Sequence, residues 1–243
     1  MKKKIIITGG SGLLGKEFTT RLVNEGYYVI NFDVSKKNGV ESEFYKVDIT
    51  NLNDLKKTID KVIAKHNFIY GLVNNAYPRT TDWNNSFEII KYQSWKKNID
   101  YQLNSCFNIS QLIISHMITN KIKGSIINIA SIYGVVGNDF NVYKGTDINP
   151  PAAYSAIKGG IINFTRYLAS YCGKYEIRVN SISPGGIFDN QPKKFVNNYV
   201  DKVPLKRMGK PSDISPALSY LLSDDSSYVT GQNIIIDGGW TSI

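Results

Sequence analysis

The stretch Lys3-Lys4-Ile5-Ile6-Ile7-Thr8-Gly9-Gly10-Ser11-Gly12-Leu13-Leu14-Gly15 decides the fold. Its first half, Lys3 to Thr8, is a short apolar run that reads as a buried strand. Glycines at 9, 12 and 15 then let the backbone turn tightly and approach a pyrophosphate, and they permit close packing of the next helix. That helix runs from Gly12 to Glu25, with apolar positions at Leu13, Phe18, Leu22 and Val23. Its N-terminus would face the phosphates. A glycine pattern alone says little, and its place between a strand and a helix gives it weight.

Working outward, short apolar runs alternate with amphipathic segments of helical length. Strands are expected at Tyr27 to Phe32, Glu43 to Val47, Ile69 to Val73, Ser125 to Ala130, Ile177 to Ile182 and Asn233 to Ile236. Helices are expected at Leu52 to Lys65, Gln93 to Met117, Ala152 to Cys172 and Ser212 to Leu222. This alternation predicts an α/β fold, a single-domain Rossmann-type doubly wound parallel sheet of about seven strands flanked by helices. No linker-like stretch divides the chain, so residues 1–243 read as one domain. Two long irregular stretches, 132–151 and about 186–210, each follow a strand and should lie at the carboxyl edge of the sheet, where such folds bind ligands.

Composition narrows the class. An apolar content of 42% and no low-complexity tract exclude a disordered or fibrous chain. Two cysteines, Cys106 and Cys172, exclude a disulfide scaffold and a multi-cysteine zinc site. The Ile5 to Ile7 run is too short for a signal peptide or membrane span, so a cytoplasmic protein with no membrane partner is expected. The net charge of +9 is carried by short, scattered clusters such as Lys36-Lys37 and Lys96-Lys97, which read as solvated surface and not as a nucleic-acid site. His66 and His116 lie near helix ends without partners at metal-ligand spacing and read as surface or capping residues, and no metal is expected.

Asp33 lies at the end of the second strand, eighteen residues past Gly15. A carboxylate there can accept both ribose hydroxyls of an adenosine and repels a 2′-phosphate, so the cofactor expected is NAD in preference to NADP.

With these motifs in place, the chain resembles the short-chain dehydrogenase/reductase superfamily, shorter-chain branch, over essentially its whole length. The Thr8 to Gly15 turn resembles the superfamily's cofactor turn, and Asn74-Asn75-Ala76 its Asn-Asn-Ala-Gly signature, with Tyr77 in place of glycine. Tyr154-Ser155-Ala156-Ile157-Lys158 is the Tyr-x-x-x-Lys motif, Ser131 follows the strand that precedes the family's catalytic serine, and Asp237-Gly238-Gly239 is similar to a late motif of many members. The resemblance implies cofactor contacts from Gly9, Ser11, Gly12, Leu13, Leu14, Asp33, Asp48, Ile49, Asn75, Ala76, Tyr154, Lys158, Pro184, Gly185 and Ile187. It implies catalysis by Ser131, Tyr154 and Lys158, in hydride transfer between nicotinamide and a secondary alcohol or ketone. Four residues apart on a helix, Tyr154 and Lys158 share a face, so an ammonium beside the phenol would favour the phenolate. Ser131 would hold the substrate oxygen. The resemblance also implies a homotetramer or homodimer.

The chain departs from the pattern in four places. Leu13 stands where a glycine is usual, and Gln102 falls where a catalytic asparagine is expected. Asp189 replaces a threonine that touches the cofactor and is expected to face away or to bind substrate. Ser131 and Tyr154 are 23 residues apart, more than the usual spacing. The enlarged loop carries Asp139, Tyr143 and Lys144, and the expected lid carries Gln191, Lys193, Lys194 and Arg207. With Asp139, Tyr143, Lys144, Gln191 and Lys194 as candidate ligands, the substrate expected is small, polar and anionic, a sugar or sugar derivative. The loops resemble a subgroup associated with flagellin modification and surface-polysaccharide biosynthesis. The competing expectations are a generic ketone or 3-oxoacyl-thioester reductase and a non-catalytic NAD-binding sensor.

Overall fold

The computed structural model describes residues 2–37 and 41–243. Seven parallel strands form one sheet in the order β3-β2-β1-β4-β5-β6-β7. They are β1 (Lys4–Thr8), β2 (Tyr28–Asp33), β3 (Glu43–Lys46), β4 (Gly71–Asn74), β5 (Ser125–Ile129), β6 (Arg178–Pro184) and β7 (Asn233–Ile236). The chain builds outward from β1 to β3, then restarts at β4 on the other side of β1. The crevice between the ends of β1 and β4 is therefore the switch point where such sheets bind ligands.

Alternation along β1 sorts its side chains between two helical layers. Ile6 joins Ile30, Leu72 and Ile126 under α2 (Leu52–His66), α4 (Ser105–Thr119) and α5 (Ala152–Cys172). Ile5 and Ile7 join Val29, Val73 and Ile182 under α1 (Leu13–Asn24) and α7 (Pro211–Leu222). All three isoleucines are fully buried, each contributing roughly 1.5–3 kcal/mol against exposure. Burial on both faces explains why the strand reads as a continuous apolar run.

The sequence reading is corrected in two places. The expected helix over 93–117 is α3 (Tyr92–Ile99) and α4 joined by a π-helical turn, Asp100–Asn104. The irregular 186–210 stretch contains a helix, α6 (Lys193–Lys202). Phe195 and Tyr199 of α6 pack with Ile132, Val142 and Trp240, joining the 186–210 stretch and the 132–151 loop in one apolar cluster. Asn198 Nδ2 donates to the carbonyls of Val142 and Lys144 at 3.0 Å each, fastening the two segments.

Candidate active site

The first turn is shaped by close approach. Gly9 takes a φ of 66°, and a Cβ on Gly15 would lie 2.0 Å from the Gly9 carbonyl oxygen. No larger residue lets α1 dock so tightly on the turn. Asn75 holds the turn from β4, its Nδ2 donating to the carbonyls of Thr8 and Gly9 at 3.0 Å. Among the described residues no side chain caps α1, so its first amides and partial positive charge face the cleft beside Gly12, Leu13 and Leu14. A Cβ on Gly12 would meet only the Gly9 carbonyl within 4 Å and otherwise fill this cradle.

The cleft holds about 700 Å³ and runs from Asp33, Asp48 and Ile49 past the glycine turn to Ser131, Tyr154 and Lys158. Its walls include Gly9, Asn75, Ala76, Pro184, Gly185 and Ile187. Glycine turn, uncapped helix end and distal carboxylate fit an extended dinucleotide, with adenosine at Asp33 and nicotinamide near Tyr154.

At that inner end Lys158 is buried and donates to the Ile129 carbonyl at 2.8 Å. Desolvation pulls its ammonium down to about 8. The Nζ lies 5.4 Å from the Tyr154 ring centre. Burial raises the Tyr154 phenol, opposed by a hydrogen bond from Ser131. Desolvation, and not the lysine charge expected from the four-residue spacing, dominates at Tyr154. Ser131 Oγ also accepts from the Tyr133 amide at 3.2 Å.

Several candidates stand elsewhere than expected. Ser11 is not among the cleft-lining residues, because its amide donates to Asp33 Oδ2 and its hydroxyl accepts from Asn31 Nδ2. The first of these bonds ties Asp33 to the glycine turn. Gln102 lies behind the wall, where its Nε2 donates to the Pro78 carbonyl at 3.0 Å. Of the five substrate candidates, Tyr143 and Gln191 line the cleft. Asp139 instead pairs with Lys202 of α6, the Lys144 carbonyl is a rivet for Asn198, and Lys194 lies along Gly145. Lys193 is likewise absent from the lining, and Arg207 is held by both Asp213 oxygens. Asp189 is exposed at the cleft mouth. His66 is no surface residue, since it is packed against Glu43 and the Tyr28 ring.

Sequence reasoning missed the aromatic wall. Tyr77 stands edge-on to Trp83 and to Tyr154, with ring centres 5.7 and 5.6 Å away. Tyr133, Phe195 and Tyr199 join the anticipated Tyr143 in this wall, and the Tyr143 hydroxyl donates to that of Tyr133 at 3.3 Å. The replacement of the signature glycine by Tyr77 was the available signal.

This fold and cleft define an oxidoreductase that works with a nicotinamide cofactor on a small molecule. The chain belongs to the short-chain dehydrogenase/reductase superfamily, for the family described as Enoyl-(Acyl carrier protein) reductase matches residues 14–241. It is 33% identical to a 3-oxoacyl-[acyl-carrier-protein] reductase of Thermotoga maritima, over 98% of this chain and 97% of the relative. Identity to a post-translational flagellin modification protein of Campylobacter coli is 32%, over 98% of each. A short-chain dehydrogenase from Leptospira borgpetersenii, solved with bound NAD+, superposes with a TM-score of 0.93 at 38% identity, over 99% of this chain and 93% of that one.

Proposed function

We propose that the protein transfers hydride between NAD and a secondary alcohol or ketone of a sugar or sugar derivative, in surface-glycan or flagellin-modification metabolism. The wall around Tyr154 carries this reading. Tyr77, Tyr133 and Tyr143 offer aromatic faces for the apolar side of a sugar ring, and hydroxyls at their tips suit its alcohols. Similarity to the flagellin modification protein supports the metabolic setting.

In this reading Ser131 holds the substrate oxygen and Tyr154 takes the carbinol proton as hydride leaves carbon. When bound, oxidised nicotinamide supplies the hydride acceptor and a positive charge favouring the Tyr154 phenolate. Lys158 adds its own charge from the side of Ile129. The preference for NAD rests on Asp33, already oriented by the amides of Ser11 and Ser35. Residues 132–151 and about 186–210 serve as substrate loop and lid of the single domain. The exposed rings of Phe107, Tyr167 and Tyr171 along α4 and α5, bridged by the half-buried Phe164, support a homodimer or homotetramer. The protein acts in the cytoplasm, where the buried, unpaired Cys106 and Cys172 stay reduced.

The test is NADH formation on a panel of sugars, sugar phosphates and nucleotide sugars, with NADH consumption on 3-oxoacyl thioesters alongside. Wild type should turn over sugar derivatives, and Tyr154→Phe should lose at least about a thousandfold while still binding NADH. Turnover confined to the thioesters would replace this reading by the second one, which the Thermotoga maritima relative favours.

A further inference from the structure

Lys158 and Arg79 are the only cations among the described residues lining the cleft. Lys158 faces the Ile129 carbonyl in the buried end. Arg79 stands at the mouth, its guanidinium 5.4 Å from the Tyr77 ring centre, and that ring adjoins Tyr154. No carboxylate pairs with Arg79 among the described residues.

The backbone on both sides of Arg79 is tied down by buried side chains. Gln102 Nε2 donates to the Pro78 carbonyl, and the Thr80 amide donates to Asn98 Oδ1 at 3.1 Å. Asn98 Nδ2 donates in turn to the Thr80 hydroxyl at 2.8 Å. Both clamping residues are more than nine-tenths buried. A cation held by its backbone, stacked on an aromatic face and without an acidic partner is preorganised for a ligand. Its planar fork matches a carboxylate or phosphate. Arg79 adjoins the Tyr77 ring, which stands against Tyr154, so an oxyanion at Arg79 is placed at the reacting end of the cleft, with the substrate and not with the adenosine of the cofactor.

We propose that Arg79 binds an oxyanion of the substrate, a carboxylate or phosphate lying beside the Tyr77 ring that borders Tyr154. This rests on the oxidoreductase reading above and names its substrate class as anionic.

The test is phenylglyoxal footprinting of the NADH-saturated protein, with the adduct at Arg79 quantified by mass spectrometry. Orthophosphate or acetate at tens of millimolar should slow modification of Arg79 several-fold, against chloride at equal ionic strength. Protection by one and not the other distinguishes phosphate from carboxylate. Equal rates in all three salts overturn the proposal, whatever the enzyme oxidises. In kinetics on matched pairs, a sugar acid or sugar phosphate against its neutral parent, Arg79→Gln should cut the preference for the anionic member at least tenfold. NADH affinity and turnover of the neutral member should be unchanged. An unchanged preference also overturns it. If wild type oxidises neither member, the sugar reading fails and the footprint alone decides for Arg79.

Discussion

The Gln102 side chain donates to the carbonyl of Pro78, at 3.0 Å. This bond joins two departures from the family pattern, glutamine where asparagine is expected and Tyr77 where glycine is usual. The glutamine reaches across to steady the loop that carries Tyr77 and Arg79.

We propose on this geometry that Gln102 positions the loop and does not carry protons. Gln102→Ala should raise KM for an anionic substrate several-fold while kcat stays within about threefold and its pH profile is unchanged. A large kcat loss with KM unaltered would assign Gln102 to the proton relay instead.

Lys158 holds a charge at a cost. With its ammonium pulled down to about 8 from an ordinary value near 10.4, about 3 kcal/mol works against the charged form. The unfolded chain binds that proton more tightly, so the destabilisation is complete below about pH 8 and fades as pH rises toward about 10.4. Lys158→Met should raise the melting temperature by several degrees at pH 7 and abolish turnover, with the thermal gain shrinking above pH 9. Melting curves at pH 7 and 10 check the sign.

The proposed preference for NAD rests on Asp33. Asp33→Ala should lower the ratio of NADPH to NADH dissociation constants at least about tenfold, since the 2′-phosphate no longer meets a carboxylate and Lys36-Lys37 stand nearby. Fluorescence titration of both reduced cofactors measures it, and an unaltered ratio would remove Asp33 from cofactor choice.

Glu43, on edge strand β3, accepts hydrogen bonds from Tyr28, Tyr45 and Lys65 at 2.6, 2.5 and 2.8 Å. Burial pushes its carboxyl up, but these bonds outweigh it and hold the group at about 2. The unfolded value is about 4.3, so the stability it confers is present above that pH and lost as pH falls toward 2. Allowing for solvent screening, the contribution is about 1–2 kcal/mol. Glu43→Gln should melt several degrees lower at pH 7, with the gap narrowing between pH 5 and 3. A gap independent of pH would mean packing, not charge, is at stake.

Much of the fold was legible because it rests on local pattern. Ile5 to Ile7, the glycines at 9, 12 and 15 and the helix over 152–172 each specify their element without distant partners. The helix α6 was not, since Phe195 and Tyr199 face Val142 and Trp240, residues remote in sequence. The same limit misled the reading of charge. Lysines near the lid in sequence point elsewhere, while Arg79 enters the cleft from a loop that only packing against α3 and the π-helical turn positions. Tyrosine ionisation was misjudged for a related reason, because spacing reports neighbours and not desolvation.

The π-helical turn at Asp100–Asn104 makes the clamp on Arg79 a matter of counting. Such a turn arises when a helix holds one residue more than its α-helical hydrogen bonding accommodates. Removing Asp100 or Tyr101, which lie between the two tethers, would shorten the Asn98–Gln102 separation from four residues to three and turn one side chain against the other by about 100° around the helix. Asn98 and Gln102 would then no longer meet the same loop, though both side chains would still be present. Here a surplus residue sets the angular phase between two tethers, so a deletion that discards no functional group would disarm the site as surely as replacing the arginine itself.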